Sequence, residues 1–177
     1  MTLLKPISGF VHRFLRGEDV VIVQQTKEQW ERQFATGKWD RLREGQPNTA
    51  ELARLLSAKS DIAYTGIDIS EAAIKAARTL VPNGNFIVAD AEKPPSDMGV
   101  FDVLVFNEVL YYMNPDRVLP RYHIHATKDA HILISVAHFW RTPFVFHRIR
   151  RHLCISTRFE VADISRRWNI AIGTYYA

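Results

Sequence analysis

The stretch IAYTGIDISEAAIKAAR, residues 62–78, couples an apolar, β-branched run to an acid and then directly to a helical repeat, and that coupling leaves few folds open. Residues 62–69 read as a strand with Asp68 at its carboxyl end. Ser70 then caps a helix whose apolar positions Ala73, Ile74, Ala77 and Leu80 share one face. In open α/β sheets ligands bind at the carboxyl ends of the strands, and an acid placed there can accept two hydrogen bonds from vicinal hydroxyls such as those of a ribose.

The rest of the chain repeats the alternation. NFIVAD (85–90) reads as a second strand, FDVLVF (101–106) as a strand buried on both faces, and HILISVAHF (131–139) as another. NEVLYYM (107–113) opens a turn or helix, and VLPRYHIH (118–125) is helical despite Pro120. TRFEVADI and RRWNIAIGTYY fit an antiparallel hairpin at the end. Repeated β-α-β order implies an α/β, Rossmann-like, doubly wound and mostly parallel sheet, closed by that hairpin.

Upstream, Leu3, Leu4, Ile7, Phe10, Val11, Phe14 and Leu15 recur at helical spacing, and TKEQWERQFATGKWDRL (26–42) contains a second helix from about residue 27 to 34. The first of these helices either packs on the core as a lid or lies on a membrane surface. REGQPNT (43–49) collects Gly, Pro and Asn and serves as the main linker. The expected organisation is an amino-terminal helical cover over residues 1–45 and an α/β domain over 46–177.

At 177 residues, 47% of them hydrophobic, one domain with its own core is expected. The single cysteine, Cys154, excludes an internal disulfide and is expected to be buried; a reducing cytoplasm is the simplest compartment. No run approaches the roughly 20 apolar residues of a membrane span. The formal net charge is +4, with HRIRRH (147–152) as the main basic cluster. Such a cluster reads as a solvated face more readily than as a nucleic-acid or membrane site, and no aromatic-plus-basic signature strengthens the latter. Of the histidines, His123 and His125 fall on different faces of a helix, and no metal site is expected.

YTGIDISEAAIKAAR, NFIVADAEKPP, FDVLVFNEVLYYM and the terminal hairpin, in this order and spacing, resemble the class I S-adenosylmethionine-dependent methyltransferases, more narrowly the nodulation N-methyltransferase group. The resemblance covers residues 50–177, and QWERQFATGKWDRL is similar to the amino-terminal cover of many relatives. It implies S-adenosylmethionine as cofactor and a small-molecule or glycan acceptor methylated at oxygen or nitrogen. By the same resemblance Asp68 corresponds to the ribose-binding acid and Ile69 to the apolar residue beside the adenine. Asp90 corresponds to the acid that accepts from the adenine amino group, Ala91 supplies a backbone N–H to the ring, and Asn107 lines the methionine part. Glu108 and His138 are the candidate catalytic bases by position, and Tyr111 and Tyr112 either shape an acceptor pocket or pack the following helix.

One departure is large. The family's first strand ends in a GxGxG turn, whereas here the glycines are Gly9, Gly17, Gly37, Gly45, Gly66, Gly84, Gly99 and Gly173, and no two form a GxG. Losing two or three hydrogen bonds there costs on the order of 2–5 kcal/mol of cofactor binding. The usual central strand is then missing. Either the strands ending at Asp68 and Asn107 pair directly, the simpler arrangement, or VVIV (20–23) slips between them. The alternative to an enzyme is an inactive relative serving as a binding or dimerisation module, and exposed edges beside a missing strand would favour a homodimer.

Overall fold

The structure, a computed structural model, describes Glu28, residues 31–33, Thr36, residues 62–162 and residues 167–176. The element order is β1 (Thr65–Asp68), α1 (Glu71–Leu80), β2 (Asn85–Val88), β3 (Phe101–Asn107), α2 (Pro115–His123), β4 (Ala126–Ala137), α3 (Thr142–Ile149), β5 (Leu153–Ala162) and β6 (Arg167–Tyr175). β1 and β2 pair in parallel. β3 and β4 also pair in parallel, and β6 and β5 follow antiparallel, giving the order β3-β4-β6-β5. This is an α/β fold with a mixed sheet that ends in an antiparallel hairpin, as the alternation of strand and helix signals leads one to expect.

Local chemistry sets the element boundaries. The Ser70 hydroxyl accepts from the Ala73 N–H at 3.2 Å and caps α1. Asn114 does the same for α2 by accepting from the Asp116 N–H, with Pro115 in the first turn where its missing N–H costs nothing. NEVLYYM therefore forms a turn, and the helix starts only at Pro115. Alternation along the strands then divides the four-stranded sheet into two faces. Leu104, Phe106, Ile132, Ile134, Val136 and Ala171 point into a core closed by Val118, Leu119 and Tyr122 of α2 and by Val145, Phe146 and Ile149 of α3. On the opposite face Val103 and Val105 are 53% and 37% exposed.

Direct pairing of the strands ending at Asp68 and Asn107 does not occur among the described residues, where β1 and β3 belong to separate ladders. The two sheets are joined by packing instead. Ile67 and Ile87 lie against the main core, and the loop after β2 is tied to α2 through Glu92, whose side chain accepts from the Asn114 N–H and whose carbonyl accepts from Arg121. VVIV, the amphipathic stretch near residue 1, the linker and the helix expected at 50–59 lie outside the described residues.

Three smaller expectations are corrected. Cys154 is exposed, because it follows the inward-facing Leu153 and strand alternation turns it outward. FDVLVF, expected to be buried on both faces, is buried on one, since Val103 and Val105 of β3 face outward. Arg148 in the basic run is 4% exposed: its guanidinium donates to Asn114 Oδ1 at 2.9 Å and lies 3.4 Å from Asp116, which also receives Arg151 and His152. Among the described residues no helix is long and apolar enough to cross a membrane.

Candidate functional site

Asp68 ends β1, and its carboxylate Oδ1 accepts from the Ser70 N–H at 2.8 Å, folding the strand end back onto the start of α1. Glu31 meets the same corner from far upstream in the chain. Its Oε1 accepts from the Glu71 N–H at 2.6 Å and its Oε2 from the Ser70 hydroxyl at 3.2 Å, so a carboxylate sits on the positive end of the helix. Burial is the main cause that raises the Asp68 pKa above the ordinary aspartate value; the charge of Glu31 adds to it, and the N–H groups of Ser70 and Ile69 oppose it. No cation among the described residues offsets that carboxylate.

β2 pairs with β1 in register Asp68↔Val88, which carries Asp90 two residues past the end of the neighbouring parallel strand. Asp90 Oδ1 accepts from the Glu92 N–H at 2.9 Å, and Asp90 lies close enough to Tyr122 that its charge adds to burial in pushing that phenol up to about 12. Ala91 and Ile69 are half-buried on the loops that begin at these two strand ends.

At the end of β3 four side chains converge. The Ser135 hydroxyl, on β4, accepts from the Glu108 N–H at 3.0 Å and lies 2.8 Å from Asn107 Oδ1 and 2.9 Å from Glu108 Oε1. The Tyr111 hydroxyl donates to Glu108 Oε2 at 3.2 Å. Burial and the Glu108 charge both raise the Tyr111 pKa, so this phenol stays protonated as a donor. Glu108 itself holds φ at 55°, a left-handed conformation that costs a residue with a Cβ about 1–2 kcal/mol. Strain of this kind gathers at functional sites, where the surroundings over-determine it.

His138 follows β4 and is fixed by its own N–H to the Arg167 carbonyl at 2.7 Å. Its Nδ1 lies 2.9 Å from Glu160 Oε2 and 3.3 Å from Asn169 Nδ2, at the rim of a hollow of about 290 Å³. Phe139 lines that hollow and packs edge-on against Tyr111, with ring centroids 5.5 Å apart, which links the hollow to Glu108. A larger hollow of about 550 Å³, on α1 and β2, contains none of the candidate residues.

The structure thus brings Asp68 together with Ile69, sets Asp90 and Ala91 on the adjacent strand, and gathers Asn107 and Glu108 around Ser135. His138 stands apart from Glu108, and the Phe139–Tyr111 contact links the two places. Sequence reasoning passed over Ser135, Glu160, Asn169 and Glu31. Ser135 and Asn169 carried a signal, as polar residues at inward or strand-end positions of otherwise apolar strands. Glu31 carried none, because its partner is 40 residues away.

A family model described as a methyltransferase domain matches residues 46–134. No curated protein matches the sequence. Solved structures do match in fold. The N-methyltransferase NodS from Bradyrhizobium japonicum WM9, solved with S-adenosyl-L-homocysteine, is 17% identical with a TM-score of 0.62, over 85% of this chain and 98% of that one. A TehB-like SAM-dependent methyltransferase from Corynebacterium glutamicum is 15% identical, TM-score 0.59, over 80% and 96% of the two chains. A ribosomal protein L11 methylase from Lactobacillus delbrueckii is 15% identical, TM-score 0.59, over 84% and 80%. With the family model matched over half its length and the fold shared across these structures, this chain belongs to the class I SAM-dependent methyltransferase domain family.

Proposed function

We propose that the protein transfers a methyl group from S-adenosylmethionine to an oxygen or nitrogen of a small molecule or glycan. The observation that carries this reading is Asp68: a half-buried carboxylate whose pKa burial raises, held by backbone N–H groups, with no cation facing it among the described residues. A buried acid without a compensating charge is costly, and hydroxyl donors from a ligand relieve that cost. The residues present fit the nucleoside half of the cofactor. Asp68 holds the ribose hydroxyls and Ile69 packs beside the adenine. Asp90 and the Ala91 N–H read the adenine edge, and Asn107 lines the methionine portion. When bound, the cofactor supplies an electrophilic methyl group on a sulfonium sulfur.

The protein's own contribution is mainly position and orientation, together with a base for the acceptor proton. Glu108 and His138 are the two groups at the strand ends able to take it. The three named structural relatives include an N-methyltransferase and a ribosomal-protein methylase, so the shared fold leaves the acceptor open.

A second reading is favoured by the glycine inventory, which contains no GxG. A relative that has lost the turn cradling the cofactor's amino-acid end could persist as a binding module. Transfer of radiolabelled methyl from S-adenosylmethionine to a panel of small amines, phenols and amino sugars separates the two. Label in an acceptor that disappears in Asp68→Asn supports the enzyme. A folded chain that labels nothing and binds no cofactor supports the module.

A further inference from the structure

We propose that Glu160 and His138 form a proton-accepting pair, in which Glu160 is a positioning residue that turns the lone pair of His138 Nε2 toward a ligand seated in the adjoining hollow. The identity of the reaction it serves rests on the methyl-transfer reading; the pair itself rests on its geometry.

His138 Nδ1 has two neighbours that make opposite demands. Glu160 Oε2, at 2.9 Å, accepts and requires a proton on Nδ1. The Asn169 amide nitrogen, at 3.3 Å, donates and requires a lone pair there. Asn169 cannot swap its ends, because Arg158 donates to its Oδ1 at 2.6 Å, and Arg158 is itself seated over the Phe146 ring at 4.1 Å. The carboxylate contact is shorter and charge-assisted, so it prevails. The neutral ring then carries its proton on Nδ1, and Nε2 is left as an acceptor. This is the arrangement in which a carboxylate orients a catalytic imidazole and stabilises it once protonated.

The corner that holds His138 is built to stay in place. Thr142 Oγ1 accepts from the Phe139 N–H at 3.0 Å and donates to the Ala137 carbonyl at 2.8 Å, bracketing His138 from both sides. Thr142 and Asn169 are 2% and 5% exposed, so these ties are shielded from water. The hollow is lined by Phe139, Trp140 and Pro143, with His138, Thr142, Arg158 and Asn169 as its polar residues. Apolar walls with a few convergent polar groups suit a small, largely apolar molecule bearing one O–H or N–H. Its proton passes to Nε2. The lone pair so freed forms the bond to the methyl carbon, and the carbon–sulfur electron pair leaves with the sulfur.

The test uses the full chain and diethyl pyrocarbonate, which acylates the unprotonated ring nitrogen, with each histidine followed by peptide mass spectrometry. His138 should react at least ~5-fold faster than the exposed His123, His131 and His147, and Glu160→Ala should bring it to within about twofold of them. Nitrogen-15 spectra of the ring at alkaline pH should show Nδ1–H in the parent chain and a shift toward Nε2–H in Glu160→Ala. Glu160→Gln, which keeps the shape, serves if the alanine variant unfolds. Ordinary His138 reactivity, or an Nε2–H ring in the parent chain, overturns the pair. S-adenosylhomocysteine titration run in parallel reports on the methyl-transfer reading alone, since neither Glu160 nor His138 belongs to the nucleoside cleft.

Discussion

The Ser135 hydroxyl lies 2.8 Å from Asn107 Oδ1, across the parallel register that sets these two residues side by side at the carboxyl ends of β4 and β3. A hydroxyl has one proton, and Glu108 Oε1 competes for it at 2.9 Å. Ser135 therefore ties both groups at the strand end, donating to one at a time while accepting from the Glu108 N–H. Ser135→Ala removes these ties and should lower stability by about 1–2 kcal/mol, with Glu108 N–H keeping only the Ser135 carbonyl. A urea midpoint unchanged from the parent would contradict this.

Glu108 supplies a second expectation, because both Glu108→Ala and Glu108→Gly delete the carboxylate while only glycine tolerates φ 55°. The glycine variant should be more stable than the alanine variant by about 1 kcal/mol. Equal melting temperatures would mean that the backbone relaxes once the carboxylate is released.

Asp68 should trade stability for binding. Its pKa is raised in the folded chain, so its contribution to stability is fully present below the unfolded value of about 3.9 and is lost as pH rises through the folded value. At neutral pH the charge is therefore a cost. Asp68→Asn keeps an oxygen for the Ser70 N–H and removes that charge. It should melt higher at pH 7, by about 2–4 °C for each kcal/mol regained in a chain of this size, and the gain should shrink toward pH 4. Cofactor affinity should fall by roughly 10–100-fold with the loss of a charged acceptor. A variant that melts lower at pH 7 would refute the assignment of burial as the dominant cause.

The closing hairpin depends on Gly173. A Cβ there would lie 2.6 Å from the Cys154 carbonyl oxygen, a backbone atom of the paired strand that cannot move aside. Gly173→Ala should destabilise by about 1–3 kcal/mol. Because Glu160 and Asn169 sit on the same hairpin, the variant should also loosen His138, seen as increased exchange of its amide.

How much of this was legible in the sequence depended on whether the physics was local. The strand–Asp68–Ser70–helix unit, the FDVLVF strand and the terminal hairpin each follow from a short pattern, and the structure has all three elements, although FDVLVF is buried on one face and not on both. Among the described residues β1 does not pair with β3, a choice no local pattern encodes, because strand neighbours are chosen by tertiary packing, here Ile67 and Ile87 on the core and Glu92 on α2. Glu31 at the start of α1, and Glu160 beside His138, are contacts between residues far apart in the chain; no periodicity announces them. Arg148 looked like one more surface cation, and only the position of Asp116 and Asn114 on the neighbouring helix explains its burial.

Calorimetric titration of the folded chain with S-adenosylhomocysteine, beside Asp68→Ala, tests the central claim most directly. The account predicts saturable binding at submillimolar ligand, weakened by the missing glycine turn and abolished in the variant. No heat at millimolar ligand, or equal binding by parent and variant, would contradict it.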